Sequence, residues 1–185
     1  DKYPDCCISL PKDFLTCNYT HKFDLVIGNP PYFELKGHQA KEPYLEQFQE
    51  RINYVSITGL SNVTGIINPI NKIAKLAHKY GIYIVVDAAQ MAAHVPIYMG
   101  GFDDPDSEID VLLFSGHKTY APGSPGVIIA RKSFMSAIEP EEVGGGMVDK
   151  VFPDNYFVSK KFPDREEAGT PNILGAITLG AAIHV

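Results

Sequence analysis

Cysteine is scarce in this sequence, long apolar runs are absent and basic charge is not in excess; each lack removes a class of function. The three cysteines, Cys6, Cys7 and Cys17, all fall in the first tenth of the 185 residues. An odd number with no CxxC pair supports neither a disulfide framework nor a zinc site. They read as reduced thiols, hence a cytoplasmic chain with no metal centre. No apolar stretch approaches the ~18 residues of a membrane-spanning helix, so no membrane partner is expected. The longest, Ile173 to Val185, is interrupted by Thr178 and His184 and reads as a buried helix. Sixteen Lys and Arg against 22 Asp and Glu give a net charge of −6, without the basic excess of a nucleic-acid binder. There is no internal repeat and no low-complexity tract. The opening Asp1-Lys2-Tyr3-Pro4 shows neither an initiator Met nor a signal pattern, and the last residues stop inside an apolar helical pattern. Both ends read as cut.

What remains is the composition of a soluble globular chain, 45% hydrophobic and 21% charged. Phe23 to Gly28 is a short apolar strand leading into the rigid loop Asn29-Pro30-Pro31, and residues 40–50 suit a helix. Arg51 to Thr58 reads as a second strand, followed by the turn-forming Gly59 to Gly65. Pro69 suits a helix start. Ile70, Ile73, Ala74 and Ala77 recur at helical spacing up to Tyr80, and Gly81 caps the run. Ile82 to Val86 is a fully apolar strand. Strand, helix, strand within about 30 residues makes a βαβ unit with a right-handed crossover. Strands at Asp110–Phe114 and Gly126–Ala130 and a short helix from Ser133 continue the pattern. The fold class is α/β, a mainly parallel sheet flanked by helices, with strands buried on both faces.

Ligands of open α/β sheets gather at the carboxyl ends of the strands. Asp87 and Gln90 follow the strand that ends at Val86; Ser115, Gly116, His117 and Lys118 follow Phe114; Asn62 follows Thr58. A carboxylate, an amide, a hydroxyl, an imidazole and an amine thus converge on one edge. Pyridoxal 5'-phosphate (PLP) asks for these types. Its aldehyde needs a lysine amine, which burial and nearby cations keep nucleophilic. Its pyridine nitrogen needs a carboxylate, and its phosphate wants hydroxyl, imidazole and backbone N–H donors.

Val86-Asp87-Ala88-Ala89-Gln90, Ser115-Gly116-His117-Lys118-Thr119-Tyr120-Ala121-Pro122 and Glu167-Ala168-Gly169-Thr170-Pro171-Asn172 together resemble the class V aminotransferase family, which includes cysteine desulfurases and selenocysteine lyases. Ser61-Asn62-Val63-Thr64-Gly65 is similar to the family's segment before its first crossover helix. The likeness covers about residues 52–185 and implies an incomplete PLP fold type I large domain. It implies a Schiff base at Lys118, Asp87 on the pyridinium nitrogen, Gln90 on the ring hydroxyl, and Ser115 with His117 on the phosphate. Asn62 would touch the substrate or ring edge. Thr170 would reach the phosphate of a partner subunit in a homodimer. The implied substrate is a small amino acid.

Other features stand outside that set. His94 reads as a satisfied structural histidine, Gly144-Gly145-Gly146 as an active-site turn, and Glu166 with Glu167 near Arg165 as a solvated rim. The resemblance also implies parts not found here: a ring-stacking His and a Thr-rich phosphate loop before Asn62, and a substrate-carboxylate Arg and a persulfide-forming Cys after Val185. This chain alone is therefore expected to be a poor catalyst.

Residues 1–50 carry a different signal. Phe23 to Tyr32, with the loop Asn29-Pro30-Pro31-Tyr32, resembles the catalytic motif of N6-adenine DNA methyltransferases, and Lys12-Asp13-Phe14-Leu15 resembles the strand end that precedes it. Such enzymes flip adenine out of the duplex. Asn29 and the Pro30 carbonyl would accept from the exocyclic amine, Pro31 would stiffen the loop and Tyr32 would stack on the base. That alternative implies S-adenosylmethionine and nucleic acid as ligands, but no glycine-rich S-adenosylmethionine loop or target-recognition region is present. Two segments are expected, 1–50 and 51–185, as a chimera, a fusion relic or a spliced fragment.

Overall fold

The computed structural model describes residues 26–27 and 53–184. The cysteines, the Asn29–Tyr32 loop and the helix expected over 40–50 lie outside them. Five strands form one sheet in the order β1 (Val26–Ile27), β2 (Tyr54–Thr58), β3 (Tyr83–Asp87), β4 (Val111–Ser115) and β5 (Gly126–Ala130). The first four run parallel and β5 antiparallel. A separate hairpin pairs β6 (Val148–Val151) with β7 (Tyr156–Val158). Helix α1 (Ile70–Lys79) crosses between β2 and β3; α2 (Lys132–Ser136) follows β5, and α3 (Ile173–His184) comes last. No described helix is long and apolar enough to cross a membrane.

The apolar stripe of α1 explains its burial. Ile70, Ile73, Ala74 and Ala77 are buried, and its exposed lysines point away. Gly81, at φ 68, ends the helix. Its N–H donates to the His78 carbonyl, and the Ile82 N–H donates to the Ala77 carbonyl, each at 3.0 Å. This is the two-bond left-handed stop that glycine permits. Ile82 then tucks under the helix end, fully buried.

One sheet face carries the core. Ile57, Ile84, Val86 and Leu112 sit in adjacent register and pack with Ile70, Ile73 and Ala74 of α1 and with Met91 and Ile109. Each such side chain contributes roughly 1.5–3 kcal/mol by leaving water. The expectation of burial on both faces is not met. Tyr83 and Asp87 on the other side of β3 are exposed, and Ile128 of β5 is 66% exposed. Nor is α3 a buried helix: only Gly175 and Leu179 are buried, and Leu174 is 79% exposed. A helix apolar all round reads as buried from sequence, but here it packs only through Gly175 and Leu179.

The amino edge of the sheet is tied by a buried acid. Asp110 is fully buried; its Oδ2 accepts from the Ile84 N–H at 2.8 Å and lies 2.8 Å from His78 Nε2. Arg131 Nη1 stands 3.3 Å from Oδ1, and Arg131 also pairs with Glu108. A carboxylate held this way locks β3, β4 and α1 together.

Candidate active site

The parallel run of β2, β3 and β4 brings their carboxyl ends to one edge, with Thr58 beside Asp87 and Asp87 beside Leu113. The backbone there is cross-tied. The Gly59 N–H donates to the Asp87 carbonyl at 2.8 Å, and the Ala88 N–H to the Leu113 carbonyl at 2.7 Å. A Cβ at Gly59 would lie 2.6 Å from Met91 Sδ, so a side chain there would displace the buried Met91 side chain.

Asp87 is exposed at the end of β3, its Oδ1 accepting from the Ala89 N–H at 2.9 Å. That local bond fixes the carboxylate and leaves its second oxygen for a ligand. Three residues on, Gln90 is half-buried, and its Oε1 accepts from Lys118 Nζ at 3.4 Å. Ser115 ends β4, half-buried, and opens the single tight turn Gly116–Lys118, on which His117 and Lys118 are exposed. Exposure of Lys118 departs from the buried amine expected of a PLP lysine. Gly116 makes the turn possible: a Cβ would sit 2.1 Å from Ser124 Oγ and 3.0 Å from the Pro125 carbonyl oxygen. Its N–H donates to that carbonyl at 3.3 Å. Thr119 closes the turn, with its N–H and Oγ1 both donating to the Gly116 carbonyl, at 2.9 and 2.7 Å.

Asn62 is exposed on the loop after β2. Buried Ser61 shapes that loop, its Oγ accepting from the N–H groups of Val63 at 3.2 Å and Thr64 at 3.1 Å. Asn68 Nδ2 donates to the Thr58 carbonyl at 2.7 Å and pins the loop's far end to β2. Thr170 is exposed on the turn after Gly169, which has φ 77 and donates its N–H to the Gly145 carbonyl at 2.7 Å. The glycine-rich stretch at 144–146 therefore packs against the Thr170 turn, with Gly144 too close to Ala168 for easy substitution.

Direct contact among the candidates joins Lys118 to Gln90; Asp87, Ser115 and His117 share their edge. Asn62 and Thr170 make no hydrogen bond to the others among the described residues. Of the rim expected at Glu166 and Glu167, Glu167 is exposed and Glu166 half-buried. Arg165 beside them is buried: its guanidinium donates to the Ile138 carbonyl at 2.9 Å and to Glu166 at 2.8 Å, and it lies over the Phe162 ring. Its planar head supplies several donors in fixed directions, which suits a buried tie between two segments. His94, expected as a satisfied structural histidine, is exposed. Sequence reasoning assigned no role to Asn172, whose amide bridges two segments: Nδ2 donates to the Gly123 carbonyl at 2.8 Å while Oδ1 accepts from the Gly175 N–H at 3.0 Å. Its partner in the 116–125 loop lies 49 residues away in the chain, so no local pattern announces the bridge.

The donor set fits PLP. A lysine amine, an amide oxygen beside it, a carboxylate with one oxygen free, and a hydroxyl next to a glycine-built turn all lie on one sheet edge. An α/β layer with a mostly parallel sheet and this edge is part of the large domain of PLP fold type I, and its solved neighbours are enzymes of that fold. Residues 30–185 match the family model described as Aminotransferase class-V, and the chain belongs to that family.

A probable cysteine desulfurase of Halalkalibacterium halodurans is 42% identical over 135 residues, covering 72% of this chain and 32% of that protein. A cysteine desulfurase of Escherichia coli is 38% identical over 137 residues, covering 74% of this chain and 32% of that protein. Among solved structures, the cysteine desulfurase CsdA of Escherichia coli superposes with a TM-score of 0.67 at 35% identity, over 76% of this chain and 34% of that one. The apo cysteine desulfurase of Thermococcus onnurineus gives 0.65 at 36% identity, over the same shares of the two chains. The chain thus spans about a third of the length of the relatives it matches.

Proposed function

We propose that this chain is the cofactor-binding core of a cysteine desulfurase-like PLP enzyme acting on a small amino acid in the cytoplasm, with Lys118 as the residue that holds the cofactor covalently. The observation that carries this reading is the placement of Lys118 Nζ 3.4 Å from Gln90 at the edge that also bears Asp87. When bound, PLP supplies an electron sink for negative charge developing beside the substrate nitrogen. The protein's part is to hold and orient. Asp87 would hold the pyridinium N–H with its free carboxylate oxygen, and Gln90 would hydrogen-bond the ring hydroxyl. Ser115, His117 and the Gly116 turn offer donors to the phosphate, while Asn62 stands at the substrate side. Thr170, exposed on its turn, reaches the phosphate of a second copy in a homodimer.

The test is to titrate purified protein with PLP and follow the visible absorption of the lysine-bound cofactor. The band should form with the wild-type chain and vanish in Lys118→Ala. Equal bands in the two proteins would overturn the assignment.

A further inference from the structure

The loop that carries Lys118 is held in a disfavoured shape. After Gly116–Lys118 the chain passes through two left-handed residues, Tyr120 at φ 61 and Gly123 at φ 77. Glycine takes that conformation freely, but tyrosine does not. A disfavoured backbone persists only where its surroundings over-determine it. The Tyr120 ring is 80% exposed and does not supply the restraint by packing. Within the loop three backbone bonds help, from the Thr119 N–H to the Gly116 carbonyl at 2.9 Å, the Ser124 N–H to the Ala121 carbonyl at 3.1 Å and the Gly116 N–H to the Pro125 carbonyl at 3.3 Å; Thr119 Oγ1 adds a local side-chain bond to the Gly116 carbonyl at 2.7 Å.

A further side-chain tie, at Gly123, comes from a distant segment. Asn172 Nδ2 donates to the Gly123 carbonyl at 2.8 Å, and Asn172 Oδ1 caps the first turn of α3 through the Gly175 N–H. Gly175 lets α3 press onto the loop, since a Cβ there would lie 2.5 Å from the Gly123 oxygen. One amide therefore joins three things: the strained lysine loop, the start of α3 and the turn that bears Thr170.

We propose that Asn172 is a positioning residue for Lys118. Its side-chain N–H holds the loop at Gly123 in the shape that aims the lysine at Gln90, while its oxygen holds the helix that backs the loop. The consequence for cofactor chemistry rests on the PLP reading above; the clamp itself does not. Only an amide does both jobs here. The substitution Asn172→Asp would keep the cap but turn an acceptor toward the Gly123 carbonyl. Asn172→Ser would keep the cap but leave a side chain too short to reach the loop.

The experiment compares Asn172→Asp and Asn172→Ser with the wild-type chain, first without cofactor. Limited trypsin digestion is followed by peptide mapping at the Lys118–Thr119 bond, where cleavage tracks the population of the opened loop. Loss of one hydrogen bond should speed cleavage there about fivefold in both variants, with other tryptic sites unchanged. On adding PLP, the pH at which the visible band of the lysine-bound cofactor changes should shift in both variants. An unchanged rate at Lys118–Thr119, or an equal acceleration at every site, would overturn the clamp. If the wild-type chain forms no PLP band, the functional reading fails while the digestion still decides the clamp.

Discussion

Gly116 has no room for a side chain, and that makes it the sharpest local test of the lysine turn. A methyl group placed 2.1 Å from Ser124 Oγ must push the two ends of the loop apart. Gly116→Ala should lower stability by about 1–3 kcal/mol, as overpacking does, read from the denaturant midpoint; an unchanged midpoint would mean the turn is not packed as described. At the surface, Lys75 and Asp104 pair at 2.8 Å. The hydrogen bond and charge of Asp104 raise the Lys75 pKa above its ordinary 10.5, and the hydrogen bond from Lys75 lowers that of Asp104 below its ordinary 3.8. For the depressed acid, stability is gained above its ordinary range and lost as pH falls through the folded value; for the raised lysine, it is gained below 10.5 and lost as pH rises past the folded value. Lys75→Ala should therefore change stability by the same small amount across the plateau between those limits, and the difference should shrink in added salt. A difference that grows with salt in unfolding curves would contradict an exposed ion pair. The placement of Asp87, Gln90, Ser115 and Lys118 at the carboxyl edge of the sheet was legible in the sequence because they come at or just after the ends of apolar strands. Asn172 and Arg165 were not: their partners, the carbonyls of Gly123 and Ile138, lie far away in the chain and leave no local pattern.

At the scale of elements, period and punctuation carried most of the information. The stripe Ile70, Ile73, Ala74, Ala77 with Gly81 behind it marks α1 to within a residue of its bounds. Ile84, fully buried as the second residue of β3, marks the core; Ile84→Ala should cost about 2–5 kcal/mol in unfolding free energy, and a loss below that range would mean the site collapses around the gap. The direction of β5 was not legible, because an apolar strand looks alike in either sense. The physical reason for its reversal is the connection: residues 116–125 hold no α-helix, and a parallel return needs a crossover of a dozen residues or more. Asp110 was read only as the first residue of a strand, and its role emerges when β3, β4 and α1 converge on it. Asp110→Ala strips the buried Ile84 N–H of its acceptor and should cost on the order of 3 kcal/mol; thermal melting would reveal it, and a neutral result would contradict a structural role at that edge.

For the whole molecule, the sequence conveyed the α/β class and the mainly parallel sheet, but not how much apolar surface stays open. Leu174 and Ile177 on α3, with Phe152 and Phe157 on the hairpin, are all exposed. Large apolar side chains left open in this number suit association with a second copy. The proposed homodimer should therefore appear in sedimentation equilibrium as twice the 20.3 kDa chain mass, weakened by Leu174→Glu; a strict monomer at every concentration would contradict it. The central claim, that Lys118 holds the cofactor, has a more direct test. Protein incubated with PLP is reduced with borohydride, digested and mapped by mass spectrometry. The expected result is one phosphopyridoxyl group, on Lys118; a label spread over surface lysines, or placed on a single different lysine, would contradict the claim.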